Sequence, residues 1–159
     1  MFVRLTTARD IAKIPPLVEA AFGRHDEGLL VTELRDHGDM VLEFVATDRE
    51  QLIGHVMLSR MVSPPLTLVL APVSVHPDWQ GKGIGSTLVR AATEAAEEAG
   101  WTAIFVLGDP NFYGRFGFEV EQAEAFDTPY PHESTGACVF NDEDFSTLPL
   151  EIIYPRAFS

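Results

Sequence analysis

Residues 80–85, with the sequence Gln-Gly-Lys-Gly-Ile-Gly, have the composition of a loop that binds a phosphate-like anion. Glycine accepts positive φ angles and lets backbone N–H groups approach a ligand closely. A stretch with helical periodicity follows directly, and the start of a helix supplies unpaired N–H groups and the positive end of a dipole. Lys82 adds a charge and Ser86 a hydroxyl group. We therefore expect a pyrophosphate to bind here.

Two familiar nucleotide loops fit this segment poorly. A Walker loop needs a glycine where His76 stands, and Ser or Thr where Gly83 stands, so that interpretation fails. A dinucleotide fingerprint matches Gly81-x-Gly83 but has Ser86 in place of its last glycine. That fingerprint also normally follows the first strand of its fold, whereas several predicted strands precede this loop. A dinucleotide-dependent enzyme remains a weaker alternative.

Hydrophobic periodicity and turn residues predict the helices and strands that position the loop. Thr7 should cap a helix running to about Phe22, which the Pro15-Pro16 pair should kink or restart. A second short helix is predicted at 27–35. The strands predicted from alternation and apolar runs lie at residues 1–6, 41–47, 52–61, 66–75, 102–107, 137–140 and 150–154.

A strong helix is predicted from Gly83 to Ala99, with Gly100 as its stop. It joins the strand at 66–75 to a largely apolar strand at 102–107, an order typical of a parallel βαβ crossover. A short helical turn should follow Asp109-Pro110. The residues predicted to line one face of the long helix are Ile84, Leu88, Ala92, Ala95 and Ala99.

The loop in this setting resembles the acetyl-coenzyme A loop (Gln-x-x-Gly-x-Gly after a strand) of the GNAT N-acetyltransferase superfamily. A second motif at residues 109–118, Asp-Pro-Asn-Phe-Tyr-Gly-Arg-Phe-Gly-Phe, resembles the Tyr-x-x-x-Gly-Phe end of that superfamily, in its YhbS-like branch. The C-terminal segment Tyr-Pro-Arg-Ala-Phe at 154–158 is also similar. The resemblance covers nearly the whole chain and is most specific over residues 70–118.

The resemblance implies one α/β domain over residues 1–159, with a mixed, mostly antiparallel sheet flanked by helices and splayed between two central strands. Acetyl-coenzyme A would enter that gap as the acetyl donor. Tyr113 would be the general acid for the leaving thiolate, since a phenol with a pKa of about 10 can donate a proton. The alternative is that Tyr113 only packs against Phe112, Phe116 and Phe118.

The same resemblance gives the cofactor-binding residues. Backbone groups of the strand before the loop would hydrogen-bond the pantetheine arm, and one N–H could polarise the thioester carbonyl. Asn111 would either bond the coenzyme A arm or cap the helical turn. The predicted set is Val73, Ser74, Val75, Gln80, Gly81, Lys82, Gly83, Ile84, Gly85, Ser86, Asn111, Phe112 and Phe116.

The general base has no clear candidate in the sequence. Many members of the superfamily carry a glutamate on the strand before the loop, but residues 66–75 contain no acidic residue. Glu43 and His55 could act through water, although each fits better as a solvent-facing residue or a satisfied polar contact. Glu27 and His25 are similarly weak candidates.

Composition limits the partners. The net charge of −13 argues against nucleic acid and is compatible with a cationic acceptor, though acidic surfaces also simply favour solubility. No apolar run of membrane-spanning length and no signal peptide is present, so we expect a cytoplasmic protein, with a homodimer possible. No metal is expected, because Cys138 is the only cysteine and the histidines show no i, i+4 pair.

These observations predict an N-acetyltransferase that moves an acetyl group directly from acetyl-coenzyme A to a primary amine, either on a small molecule or on a protein. Direct transfer is expected because no cysteine lies near either motif in the sequence. The missing strand carboxylate leaves a second hypothesis open, a non-catalytic module that senses acyl-coenzyme A.

Overall fold

The computed structural model describes residues 1–141 and 151–159. Its strands are β1 (Phe2–Leu5), β2 (Met40–Asp48), β3 (Gln51–Arg60), β4 (Thr67–Val75), β5 (Ala103–Leu107) and β6 (Thr135–Val139). Its α-helices are α1 (Ile14–Phe22), α2 (Asp26–Asp36), α3 (Ile84–Glu98) and α4 (Pro110–Tyr113). No helix within the described ranges is both long enough and apolar enough to cross a bilayer.

The strands hydrogen-bond in the order β1-β2-β3-β4-β5-β6. Strand β1 is antiparallel to β2, β5 is antiparallel to β6, and β4 is parallel to β5 across the predicted βαβ crossover. The predicted mixed, mostly antiparallel sheet is confirmed. Pairing of β4 with β5 runs from Thr67↔Ala103 to Leu70↔Val106, while β4 continues to Val75. The last part of β4 therefore lies outside this pairing.

The chain forms two compact units, Met1–Leu58 with Pro72–Ala92 and Ser59–Ala71 with Thr93–Ser159. In the first unit, Thr7 starts a 3₁₀ helix over Ala8–Lys13 through a capping box with Asp10. The α-helical geometry of α1 begins only at Ile14, because the Pro pair fits the first helical turn, where no intrahelical donor is needed. The predicted restart is thus confirmed.

Helices α1 and α2 each bury an apolar face, and β2, β3 and the first half of α3 also contribute to this unit's core. Gly23 ends α1 in the left-handed conformation, with φ of 72°. The buried core side chains of these elements include Ile14, Leu17, Val18, Val31, Leu34, Val45, Ile53 and Val56.

The second unit contains an aromatic-rich core. Phe105 on β5 meets Phe126 edge to face, with ring centroids 5.7 Å apart. The same cluster includes Met61, Val69, Ala123, Ala137, Ile152 and Tyr154. Ile152 and Tyr154, from the described range 151–159, therefore contribute to this core.

Two predictions need correction. The buried face of α3 contains Ile84, Leu88, Val89, Ala92 and Ala96, whereas Ala99 is exposed, because a face of a 3.6-residue helix alternates i+3 and i+4 steps. Thr93 is buried as well. The strand predicted at 150–154 is only a pair of isolated bridges at Glu151 and Ile153, and Leu150 lies outside the described residues.

Candidate active site

The glycine loop of the first unit has the backbone geometry of an anion cradle. Gly81 and Gly83 have φ angles of 79° and 81°, which only glycine adopts at low cost. A Cβ atom built on either residue meets nothing within 4 Å, so the space beside both glycines is open. Helix α3 starts at Ile84, directly after the second of them. Exposed N–H groups of the loop and of the first helical turn can therefore reach an anion here.

Neighbouring side chains fix the loop at both ends. The Gln80 side-chain amide donates to the Val75 carbonyl oxygen over 3.1 Å. The Thr87 hydroxyl donates to the Gly83 carbonyl oxygen over 3.0 Å. A 3₁₀ turn over Pro77–Trp79 precedes the loop, capped by Nδ1 of His76, which accepts from the Asp78 N–H. These hydrogen bonds form within the protein alone, so they hold the loop in its shape before any ligand binds.

Lys82 lies exposed in this loop with Nζ 4.9 Å from the centroid of the Trp79 ring. A cation over an aromatic face at this distance is held weakly, by about 0.5–1 kcal/mol at an exposed site. The ammonium group therefore stays beside the loop yet remains able to turn toward a bound anion.

The end of β4, Val73 to Val75, carries the other predicted backbone contacts. The side chains of Val73 and Val75 are half-buried, and that of Ser74 is buried with its hydroxyl lacking a hydrogen-bond partner in the described part of the chain. The two valines are thus partly exposed strand residues rather than fully buried core. This is the part of β4 beyond its pairing with β5, whose last pair is Leu70↔Val106.

Tyr113 lies in the second unit, at the end of α4, and its ring packs tightly on the backbone of Gly108. A Cβ atom added to Gly108 would lie 2.5 Å from Cε2 of Tyr113, so no other residue fits there without moving the ring. Burial raises the pKa of Tyr113 to about 12. The phenol is therefore protonated throughout the neutral range, as a proton donor must be.

The aromatic cluster predicted around Tyr113 is present. The Tyr113 ring meets Phe112 and Phe118 edge to face, at centroid distances of 4.9 and 5.8 Å. Phe112 also meets Phe116 at 5.2 Å, and the Arg115 guanidinium lies over both of those rings. The cluster holds the ring in place, and this packing is compatible with proton donation by the hydroxyl group.

Asn111 does not cap the helical turn. The Asp109 side chain is the cap, accepting from the Asn111 N–H over 2.9 Å, with Pro110 in the first helical position. The Asp-Pro pair is a common helix start that could have identified this cap from the sequence. Asn111 is exposed, and its predicted coenzyme A contact remains a prediction.

Glu43 and His55, considered as possible bases, are both buried and joined to each other. Arg35 closes the group with two hydrogen bonds from its guanidinium to the Glu43 carboxylate, of 2.8 and 2.6 Å. Although burial raises the pKa of Glu43, the hydrogen bonds and charges of His55 and Arg35 lower it below its usual value. The solvent-facing alternative is therefore wrong for both residues. Glu43 is a satisfied polar contact, and His55 makes a polar contact through Nε2 only, since no partner of its buried Nδ1 is found among the described residues. Sequence reasoning did not identify Arg35.

Glu27 and His25 are also engaged near the start of α2. Glu27 forms an ion pair with Arg24, and that hydrogen bond, against the opposing effect of burial, lowers the pKa of Glu27. His25 places Nδ1 3.0 Å from the Glu19 carboxylate. A carboxylate with a lowered pKa is a weaker base, which further disfavours Glu27.

No cluster suitable for a metal ion exists among residues 1–141 and 151–159. Cys138 is buried and unpaired. Burial, reinforced by the charges of Glu97 and Glu119, raises the pKa of its thiol to about 11. The thiolate that would be needed for nucleophilic attack is thus scarce at neutral pH.

Comparison with known proteins agrees with this geometry. The chain matches the family model of the acetyltransferase (GNAT) domain over residues 42–120. It is 36% identical over 124 residues to the uncharacterized N-acetyltransferase YhbS of Escherichia coli K12, covering 76% of this chain and 74% of that protein. It is 31% identical over 135 residues to the uncharacterized N-acetyltransferase YjhQ of the same organism, covering 80% of this chain and 75% of that protein.

Solved structures match over almost the entire chain. The crystal structure of Escherichia coli YhbS in complex with CoA has a TM-score of 0.91 and 29% identity, covering 99% of this chain and 91% of that one. A GNAT family acetyltransferase from Brucella melitensis in complex with acetyl-CoA has a TM-score of 0.83 and 28% identity, with coverages of 99% and 97%. The chain therefore belongs to the GNAT N-acetyltransferase family, as its motifs predicted.

Proposed function

We propose that this chain, acting as one N-acetyltransferase domain, transfers an acetyl group directly from acetyl-coenzyme A to a primary amine. The observation that carries the proposal is the open glycine cradle at the start of α3, where Gly81 and Gly83 hold left-handed conformations beside free space. A pyrophosphate fits such a cradle, because backbone N–H groups and the helix dipole both favour an anion. Two relatives of similar fold were crystallised with CoA or acetyl-CoA.

Several residues of the cradle would bind the donor together. The N–H groups at and after Gly81 would hydrogen-bond the pyrophosphate, with the Lys82 ammonium and the Ser86 hydroxyl as further contacts. Backbone groups from Val73 to Val75 are proposed to bond the pantetheine arm, which the absence of β5 pairing there supports. Asn111, Phe112 and Phe116 are proposed as further contacts to the coenzyme.

The reaction needs one proton to move from nitrogen to sulfur. The neutral amine attacks the thioester carbon, a C–N bond forms, the C–S bond breaks, and its electron pair goes to sulfur. Tyr113 would donate its phenolic proton to that sulfur, and the proton lost by the amine would restore the phenol through solvent. The pKa of about 12 supports this role, since the phenol is protonated at neutral pH.

Direct transfer without an acetyl-enzyme is supported by the state of the cysteine. Cys138 is buried, and its thiol pKa is raised to about 11, so it is a poor nucleophile. The proton balance of the reaction is satisfied when the acceptor arrives as a neutral amine or loses its proton to water.

Isothermal titration of the full chain with acetyl-coenzyme A tests the donor. Binding with a dissociation constant below about 1 mM is expected, together with clearly weaker binding of S-acetylpantetheine, which lacks the pyrophosphate. Equal affinity for both ligands would contradict the proposed binding of the pyrophosphate by the glycine cradle. Screening amines for release of free coenzyme A thiol then identifies the acceptor, and no release with any amine class would contradict transfer.

A further inference from the structure

The second unit contains a cavity of about 460 Å³ that the acetyl-transfer proposal does not use. Its size falls within the range of pockets that hold small organic ligands, about 300–1,000 Å³. Aromatic rings and carboxylates dominate the lining, and no lysine, arginine or histidine is among the lining residues. The residues on which the argument depends are Asp127, Tyr130, Glu151, Tyr154 and Phe158.

Backbone hydrogen bonds hold the two acidic residues side by side. Asp127 and Glu151 form a parallel bridge, and the Ile152 N–H donates to the Asp127 carbonyl oxygen over 2.8 Å. The Ser63 hydroxyl donates to the Glu151 carbonyl oxygen, also over 2.8 Å. The backbone therefore places the two acidic residues opposite each other, and both line the cavity, where each carboxylate would be stabilised by a nearby cation.

Neither carboxylate has a cationic partner in the described ranges 1–141 and 151–159. The ion pairs of those ranges all involve other acidic residues. Both Asp127 and Glu151 are exposed residues, so their charges are hydrated and available. Two carboxylates alone are too few ligands for a metal ion, and no group of three metal-ligating side chains occurs in the described part.

Three aromatic rings form the apolar wall of the cavity. Tyr130 meets Tyr154 at a centroid distance of 5.0 Å and an interplanar angle of 84°, and Tyr154 lies 5.2 Å from Phe158. The negative faces of aromatic rings attract organic cations. This wall therefore adds to the field of the two carboxylates and also accommodates an apolar body.

The Tyr154 hydroxyl is a buried polar group without a good partner. Tyr154 is 7% exposed, and its hydroxyl has no hydrogen-bond partner among residues 1–141 and 151–159. Burial raises its pKa to about 12, and Thr128 is near enough to lower that value only in part. A buried hydroxyl left unpaired costs free energy, which a ligand N–H bonded to its oxygen would recover.

We propose that this cavity binds an organic ammonium ion attached to an apolar or aromatic body. The ammonium group lies between the Asp127 and Glu151 carboxylates and donates to the Tyr154 hydroxyl oxygen, while the body packs on Tyr130 and Phe158. The site requires no coenzyme A, so it stands or fails independently of acetyl transfer.

Two probes of equal size test the charge requirement on the full chain without acetyl-coenzyme A. Phenethylammonium chloride carries the cation at pH 7, and 2-phenylethanol is its neutral counterpart, with a hydroxyl in place of the ammonium group. By isothermal titration, the ammonium should bind at least about tenfold more tightly, from the summed cation–π and carboxylate interactions. Equal affinities, or no ammonium binding at millimolar concentration, overturn the proposal.

Variants then locate the site. The double substitution Asp127→Asn with Glu151→Gln should weaken phenethylammonium binding about tenfold and leave 2-phenylethanol unchanged. The control Asp36→Asn with Glu33→Gln changes the net charge equally on exposed residues of α2 and should leave ammonium affinity within about twofold. An equal loss of ammonium affinity in both double variants would indicate general attraction by the net charge and would overturn the proposed site. Tyr154→Phe, which keeps the ring, should weaken the ammonium alone, by about threefold or more.

Discussion

Nε2 of His55 lies 2.8 Å from Oε2 of Glu43, and both side chains are buried in the first unit. Because a carboxylate only accepts hydrogen bonds, Nε2 carries the hydrogen, and the buried Nδ1 of His55 has no partner in the part of the chain that the structure describes. The Arg35 guanidinium satisfies the remaining oxygen positions of Glu43. This group links β2, β3 and α2 and is a structural element of the unit.

Glu43→Gln should therefore destabilise the protein by about 2–3 kcal/mol, because it leaves the Arg35 charge unpaired in a mostly buried position. Urea unfolding at pH 7 measures the change. Glu33→Gln, the same substitution on an exposed residue of α2, should stay within about 0.5 kcal/mol of the unchanged chain. A loss no greater for Glu43→Gln than for Glu33→Gln would show that the buried ion pair contributes little.

Acid should destabilise the first unit through two carboxylates. A hydrogen bond from Arg4, only partly opposed by burial, lowers the pKa of Asp10, and His55 with Arg35 lowers that of Glu43 despite its burial. Their ordinary values are 3.8 and 4.5. Each group's stabilisation is therefore complete above its ordinary value and is lost as the pH falls through the lower folded-state value.

The free energy of unfolding, measured by urea titration from pH 7 to pH 3, should be nearly flat in its upper part and fall steadily below about pH 4.5. In Glu43→Gln and in Asp10→Asn the fall should be shallower than in the unchanged chain, since one titrating group is absent from each. A fall of the same steepness in all three proteins would mean that other groups control acid unfolding.

Much of the fold was predictable because its signals are local. The strands before the glycine loop, helices α1 to α3 and the restart at the proline pair all follow from periodicity, capping and proline geometry. The loop and Tyr113 were found because glycine spacing and the Tyr-x-x-x-Gly-Phe motif are contiguous in the sequence.

The predictions that failed concern contacts between segments on different elements of the fold. Arg35 and Glu43 are eight residues apart, on different elements, and no local pattern indicates that their side chains meet. The isolated bridge between Asp127 and Glu151 likewise forms only because tertiary packing brings two irregular segments together. A strand is predicted near residues 150–154, but the described part of that segment forms only isolated bridges, at Glu151 and Ile153.

Alanine at either loop glycine should strain the cradle. Because Gly81 and Gly83 have left-handed φ angles, Gly81→Ala and Gly83→Ala should each destabilise the chain by about 1 kcal/mol and weaken acetyl-coenzyme A binding. Gly114→Ala is the matched control, since Gly114 has φ of −57° and an added Cβ there meets nothing within 4 Å. Urea unfolding and isothermal titration give the two readouts, and unchanged donor affinity in both loop variants would argue against the cradle.

Gly108→Ala should displace the Tyr113 ring, because the new Cβ would lie 2.5 Å from Cε2. A loss of about 1–3 kcal/mol is expected from overpacking, together with altered near-ultraviolet circular dichroism of the aromatic cluster. Gly136→Ala is the control, since its Cβ would lie 3.5 Å from the nearest atom, Cγ1 of Val106. Equal and small effects of both substitutions would mean that the ring has room to move.

Tyr113→Phe separates an enzyme from a coenzyme A sensor. Removing the hydroxyl while keeping the ring should lower kcat by about 10²–10⁴-fold and leave the dissociation constant of acetyl-coenzyme A within about twofold. Because burial raises the pKa of Tyr113 to about 12, activity should not decline between pH 7 and pH 10 through ionisation of this residue. Assays with an amine identified by thiol release measure the rate of transfer and its pH dependence, and isothermal titration measures the dissociation constant of acetyl-coenzyme A. Full activity in Tyr113→Phe would assign the residue to packing alone, and a chain that binds the donor yet acetylates no amine would be the sensor.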